Sequence, residues 1–81
     1  MKTVVITGSA RGFGFEMIKI FKQNNFNCVI LDVNKEELAK AYKLLSLEKG
    51  DGKVLAYVVD VTKIDQIKNM IDEVLKQVST I

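Results

Sequence analysis

The residues with chemical potential fall into one glycine-rich run and two aspartates. The run is Thr7-Gly-Ser-Ala-Arg-Gly-Phe-Gly14, and it sits between the apolar Val4–Ile6 and an amphipathic stretch. A tight passage from strand into helix needs a residue with no Cβ. A second glycine lets backbone N–H groups approach an anion, and a third lets the helix pack on the strand. The helix N-terminus behind such a turn offers unpaired N–H groups and the positive end of a dipole to phosphate. Gly8, Gly12 and Gly14 can fill these three places. The spacing is not G-x-G-x-x-G, nor is it a P-loop, since no Gly-Lys-Ser/Thr follows. Three glycines alone also serve purely structural turns. Asp32 adds a second requirement: it follows the apolar run Cys28–Leu31, where a strand-end carboxylate accepts hydrogen bonds from the 2′- and 3′-hydroxyls of a ribose. Glycine turn, helix and strand-end acid together point to a nucleotide.

The elements that must position these groups are legible from the apolar period. Residues 2–7 (KTVVIT), 27–32 (NCVILD) and 53–60 (KVLAYVVD) are short, nearly continuous in apolar character and rich in β-branched side chains. Strands buried on both faces of a parallel sheet read this way. Helical spacing links Phe13, Met17, Ile20 and Phe21, then Leu38, Ala41, Tyr42 and Leu45. A third stripe runs through Ile64, Ile67, Ile71, Val74, Leu75 and Val78. The breakers are residues 24–27 (NNFN) and 49–53 (KGDGK), and there is no proline. The order is β-α-β-α-β-α, which right-handed crossovers turn into a parallel three-stranded sheet with the first strand at one edge. Asn34 with Glu37, and Thr62 with Asp65, have the form of helix N-caps and their return partners. That leaves Asp32 and Asp60, both at strand ends, free of capping duty; the alternative for either is a turn role.

Composition narrows the field. With 81 residues, 48% of them hydrophobic, the chain has one small domain's worth of core. Twelve basic against ten acidic side chains, with no basic block, argue against nucleic acid or a membrane surface as partner. Cys28 is the single cysteine and there is no histidine, which excludes an internal disulfide and a Cys/His metal site. The start MKTVVITG lacks the core of a signal peptide, and no segment has the length of a membrane span. A cytoplasmic chain is the expectation. Cys28 reads as a core residue, and the helix lysines as solvated faces.

TGSARGFG resembles the Thr-Gly-x-x-x-Gly-x-Gly fingerprint of the short-chain dehydrogenase/reductase family, and Asp60-Val61-Thr62 resembles that family's strand-end Asp-Val-Thr. The chain is similar to the family's N-terminal third throughout. The resemblance implies a Rossmann-like half: a three-layer α/β unit with a parallel sheet of order 3-2-1. Residues 1–81 would then be one dinucleotide-binding half-domain, truncated before the catalytic segment, with a fourth strand starting near Ile81. It further implies that Thr7 and Gly8 shape the turn. Ser9, Arg11 and the Gly12–Phe13 backbone would face phosphate and ribose, with Gly14 behind them. Asp32 and Val33 would hold the adenosine ribose, while Asp60 and Val61 touch the adenine, the aspartate accepting from its amino group. Asp32 disfavours a 2′-phosphate, whereas Arg11 favours one; with no further charge at Val33 or Asn34, NAD is expected over NADP.

The family's catalytic serine and Tyr-x-x-x-Lys pair have no counterpart here. Tyr42 is followed four residues on by Ser46, and Tyr57 by Val61. No catalytic residue is therefore assigned, and the 81 residues are expected to bind a cofactor without turnover. The full-length relative would be an NAD-dependent oxidoreductase of an alcohol/ketone pair. The alternative is a stand-alone nucleotide- or partner-binding module. A methyltransferase half is disfavoured by Thr7 and by the wide glycine spacing. In the family fold the first strand pairs with a fourth as well as with the second. An open first-strand edge implies a homodimer, or a C-terminal half docking there.

Overall fold

A computed structural model describes residues 1–78; the expected start of a fourth strand at Ile81 lies outside them. Strand β1 (Thr3–Thr7) leads to helix α1 (Gly12–Gln23), β2 (Asn27–Asp32) to α2 (Lys35–Ser46), and β3 (Val54–Val58) to α3 (Ile64–Gln77). The strands form one parallel sheet of order β1-β2-β3. Its register pairs Val5 with Val29 and Leu31 with Tyr57. This is the parallel β-α-β-α-β-α unit the alternating apolar periods predict and the Rossmann-like half the resemblance implies, with β1 at one edge and β2 in the centre.

The near-continuous apolar run of β2 follows from that central position, because both of its faces are covered. Cys28 and Ile30 face Ile18 of α1 and Leu38, Ala41 and Leu45 of α2. Val29 and Leu31 face Met70, Val74 and Val78, with α3 on the opposite side. All four of these β2 side chains are buried. The three-layer arrangement follows: α1 and α2, the sheet, then α3.

The helices differ from expectation in which stripe they bury. On α1 the core face is Phe15, Ile18 and Phe21, joined by Lys22, which is buried. Phe13, Met17 and Ile20 form a second apolar stripe that is exposed, Phe13 at 89%. On α3 the buried face runs through Ile67, Met70, Val74 and Val78, while Ile64, Ile71 and Leu75 point outward. Tyr42, expected in the core of α2, is also exposed. Periodicity alone cannot choose between two stripes on a helix that carries both.

Lys22 overturns the reading of every helix lysine as a solvated face. Its Nζ donates to the backbone carbonyls of Glu48, at 3.1 Å, and of Gly50. A buried ammonium needs such acceptors to offset its desolvation. The stretch from Gln23 to Asn27 is similarly tied. Asn25 takes a left-handed φ of 65° and its Oδ1 accepts the Asp51 N–H. Asn27 ties β1 to the residue before β3, its Nδ2 donating to Thr3 Oγ1 and its Oδ1 accepting from Lys53 N. Beneath them Phe21 and Phe26 meet edge to face, centroids 4.9 Å apart.

Candidate functional site

The glycine turn joins β1 to α1 at the carboxyl end of the sheet. Gly8 and Gly12 adopt φ of 61° and 59°, the left-handed region that glycine enters without a Cβ penalty. Nothing lies within 4 Å of where a β-carbon on either would sit, so the space over the turn is open. Gly14 is the opposite case. A β-carbon there would come 2.8 Å from the Gly8 carbonyl oxygen and 2.9 Å from Ser9 Cα. Its role is close packing of α1 beneath the turn, as the third glycine requires.

Helix α1 begins without a local substitute for an anion. Arg11 is its N-cap in extended conformation and makes no side-chain capping bond, and the first turn has no acidic residue. By contrast, α2 is capped by Asn34 and carries Glu36 and Glu37 in its first turn. The first N–H groups of a helix have no intrahelical partner, so those of Gly12 and Phe13 remain available above the glycine turn. Arg11 itself is exposed beside them.

Ser9 has a different job from the expected one. It is fully buried; its hydroxyl donates to the Ile6 carbonyl at 2.6 Å and accepts the Leu31 N–H at 3.2 Å. Its own N–H donates to the Leu31 carbonyl. The side chain that was to face phosphate is instead spent fastening the turn to β2. A small hydroxyl flanked by a glycine turn gave no sequence signal that distinguishes the two roles.

The two aspartates come together across a cleft of about 310 Å³. Thr7 and Gly8 line it from the end of β1, Asp32 and Val33 from the end of β2, and Asp60 and Val61 from beyond β3. Val33 and Val61 are exposed apolar side chains, at 65% and 48%, so the cleft has apolar flanks around its two carboxylates. Both aspartates also make turns, contrary to their expected freedom. Asp32 Oδ1 accepts the Asn34 N–H at 3.1 Å, the role assigned to Glu37 as return partner, while Asn34 Oδ1 accepts the Glu37 N–H as expected. Asp60 Oδ1 accepts both the N–H and the hydroxyl of Thr62. The hydroxyl is thereby withdrawn from capping α3, whose N-cap is Lys63. In each case the bond uses Oδ1 alone, leaving Oδ2 without a partner among the described residues.

Thr62 also sets the charge of its neighbour. Its hydroxyl and then its N–H, both donating to Asp60, hold that carboxyl below its ordinary range. The Asp60 backbone is held in turn by Gln66, whose Oε1 accepts its N–H at 2.8 Å; no spacing rule singled Gln66 out. Of the expected residues, Gly8, Asp32, Val33, Asp60 and Val61 share the cleft. Arg11, Gly12 and Phe13 stand at the adjoining helix start, and Ser9 and Gly14 lie underneath.

A family model described as short chain dehydrogenase matches residues 2–81. The chain belongs to the short-chain dehydrogenase family. It is 34% identical over 80 residues to the 3-oxoacyl-(acyl-carrier-protein) reductase of Chlamydia muridarum, covering 99% of this chain and 32% of that protein. With the Thermotoga maritima enzyme of the same name it shares 36% over 76 residues, 94% of this chain and 30% of the other. Among solved structures, L-sorbose reductase from Gluconobacter frateurii, complexed with NADPH and L-sorbose, superposes with a TM-score of 0.83 at 28% identity, over 93% of this chain and 28% of that one. An NAD+-bound xylitol dehydrogenase shares the fold, with a TM-score of 0.85 at 24% identity over 94% of this chain and 28% of the other. The chain thus spans about a third of the length of the curated relatives it matches.

Proposed function

We propose that the carboxyl end of this sheet binds the adenosine–pyrophosphate part of a nicotinamide dinucleotide, NAD in preference to NADP. The observation that carries this is the single cleft joining Gly8, Asp32 and Asp60 beside an uncapped helix start. The residues suit the group. The N–H groups of Gly12 and Phe13, above the open Gly8–Gly12 turn, would hold the pyrophosphate. Asp32 Oδ2 would accept from the ribose hydroxyls, Val33 and Val61 would flank the adenine, and Asp60 Oδ2 would accept from its amino group. A 2′-phosphate would face the Asp32 carboxylate; Arg11 is the only cation at the turn to oppose that repulsion. Bound NAD supplies hydride transfer, and the full-length relative oxidises or reduces an alcohol/ketone pair. Within these 81 residues no Tyr-x-x-x-Lys pair exists to move the substrate's proton, so this chain by itself binds without turning over. The buried, unpaired Cys28 thiol suits a reducing cytoplasm.

Titrating the ¹⁵N-labelled chain with NAD and with NADP tests the reading. The Gly8–Gly14 amides are expected to shift at lower NAD than NADP concentration, and Asp32→Ala to erase most of that difference. Tighter NADP binding would show that Arg11 outweighs Asp32; no shift with either would remove the binding assignment.

A second reading, of assembly, rests on three uncovered apolar features: the outer edge of β1, the Phe13/Met17/Ile20 stripe and the Ile64/Ile71/Leu75 stripe. An open edge strand guarded only by Lys2 invites another strand. A second copy pairing β1 with β1 antiparallel gives a six-stranded sheet with the two α1 stripes on one face; a C-terminal half of the family's fold would occupy the same edge. Mass measured by sedimentation is expected to rise to a dimer with concentration, and Val5→Lys to hold it at the monomer. A concentration-independent monomer would argue against the homodimer.

A further inference from the structure

The sheet has a second edge, and it is built differently. Along the outer side of β3 runs a groove of about 660 Å³. Val54, Leu55, Ala56 and Tyr57 all line it. Successive strand residues point to opposite faces, so a groove touching four in a row lies against the strand's edge. Its other wall is α2, through Leu38 and Tyr42, and Lys35 and Lys43 stand at the rim. Both lysines are exposed, and neither belongs to an ion pair among the described residues. No acidic side chain lines the groove. Among the described residues β3 pairs only with β2, so its outward N–H and C=O groups lie open beside an apolar wall and two ammonium groups outside any ion pair.

We propose that this edge takes an extended acidic–apolar peptide from another protein, added as a fourth strand next to β3. Main-chain bonds to the free edge supply affinity and alternate side chains supply selection. The spacing of the rim specifies the pattern. Eight residues of helix separate Lys35 from Lys43, about 12 Å along the axis. Four residues of strand cover about 13 Å. A peptide with carboxylates at i and i+4 and an apolar residue at i+2 therefore sets one acid by each lysine and its apolar side chain on Leu38 and Tyr42. A second copy of this chain is the poorer occupant. Twofold pairing of β3 with itself keeps both α2 helices on one face and turns Lys35 and Lys43 of one copy toward those of the other, a like-charge arrangement that edges use to prevent pairing.

The test is an amide-shift titration of the full 81-residue chain with the capped peptide TETVTET and with its charge-reversed control TKTVTKT. Saturable shifts in Val54–Val58 and along α2 are expected with the acidic peptide and not with the basic one. The double variant Lys35→Glu/Lys43→Glu, both on a solvated rim, is expected to weaken the acidic peptide about tenfold and to gain binding of the basic one. Equal response to both peptides, shifts confined to the β1 edge, or no response at millimolar peptide would overturn the proposal. The last result would leave the two lysines as guards of a closed edge. Concentration-dependent broadening of the β3 amides without peptide would overturn it too, in favour of self-pairing.

Discussion

The two ends of the sheet treat their polar groups in opposite ways. At the amino end the chain satisfies itself: Lys22 donates to two carbonyls of the 48–50 turn, Asn25 fastens Asp51, and Asn27 links β1 to the start of β3. Gly50 and Gly52 are pressed against the backbone of Lys22 and Phe26. At the carboxyl end two glycines stand under open space, α1 starts uncapped, and two carboxylates each keep an oxygen free. Binding capacity lies where the chain leaves polar groups unspent. Strands running in parallel bring every such group to one end, while the return loops at the other end do the holding. No described buried side-chain nitrogen or oxygen lacks a partner, so the openness is confined to the surface that a ligand can reach.

Glycine substitutions should break the contrast most sharply. A β-carbon on Gly52 would overlap the Phe26 carbonyl, which backbone cannot yield cheaply, so Gly52→Ala is expected to cost about 3 kcal/mol or more. Gly8→Ala meets only open space and an unfavourable φ, and should cost about 1–2 kcal/mol while keeping the fold. Urea denaturation of the two variants measures both, and equal losses would mean that the two ends are not differently packed.

Lys22→Met sharpens the comparison by removing only the ammonium. The stem volume is kept, but two carbonyls lose their donor, and about 2 kcal/mol of stability is expected to go with them. A change within 0.5 kcal/mol would show that water replaces the ammonium at no cost (roughly the scatter of surface substitutions).

An effect visible only at alkaline pH concerns Cys28, whose thiol burial pushes up to about 11 from an ordinary 9.0, against a weaker pull from Lys22. The folded state holds its proton to higher pH than the unfolded state. Its contribution is therefore complete below about pH 9 and declines as pH rises toward 11. The wild type should lose about 1–2 kcal/mol more than Cys28→Ala across that window. Parallel urea midpoints at pH 8 and pH 10.5 check it; identical slopes would place the thiol in contact with water.

Much of this contrast was legible in the sequence because it rests on period and on glycine. The three strands, the three helices between and after them, the Asn34 cap and the placing of Asp32 and Asp60 at strand ends follow from spacing that any parallel α/β unit must obey. The remainder turned on competition between partners. Thr62 could cap α3 or serve Asp60, and the nearer carboxylate took it. Ser9 could face outward or inward, and the Ile6 carbonyl and Leu31 N–H lay inward within reach of its hydroxyl. Lys22 looks like any helix lysine until the 48–50 carbonyls arrive from 26 and 28 residues away. On α1 the local pattern offered two apolar stripes, and only the position of the sheet decides which one becomes core.

The sequential strand order has a consequence for synthesis. Each strand pairs with the next in the chain, Thr3 with Asn27 and Cys28 with Val54, so every ladder closes over about 25 residues. Such a sheet can assemble one crossover at a time as the polypeptide leaves the ribosome, with no step waiting on a distant segment. β1 is the first of these three strands to emerge, and like β3 it keeps one side unpaired among the described residues. That side is exposed from the first closure onward, which makes it the place where a nascent chain most needs a chaperone or a neighbour.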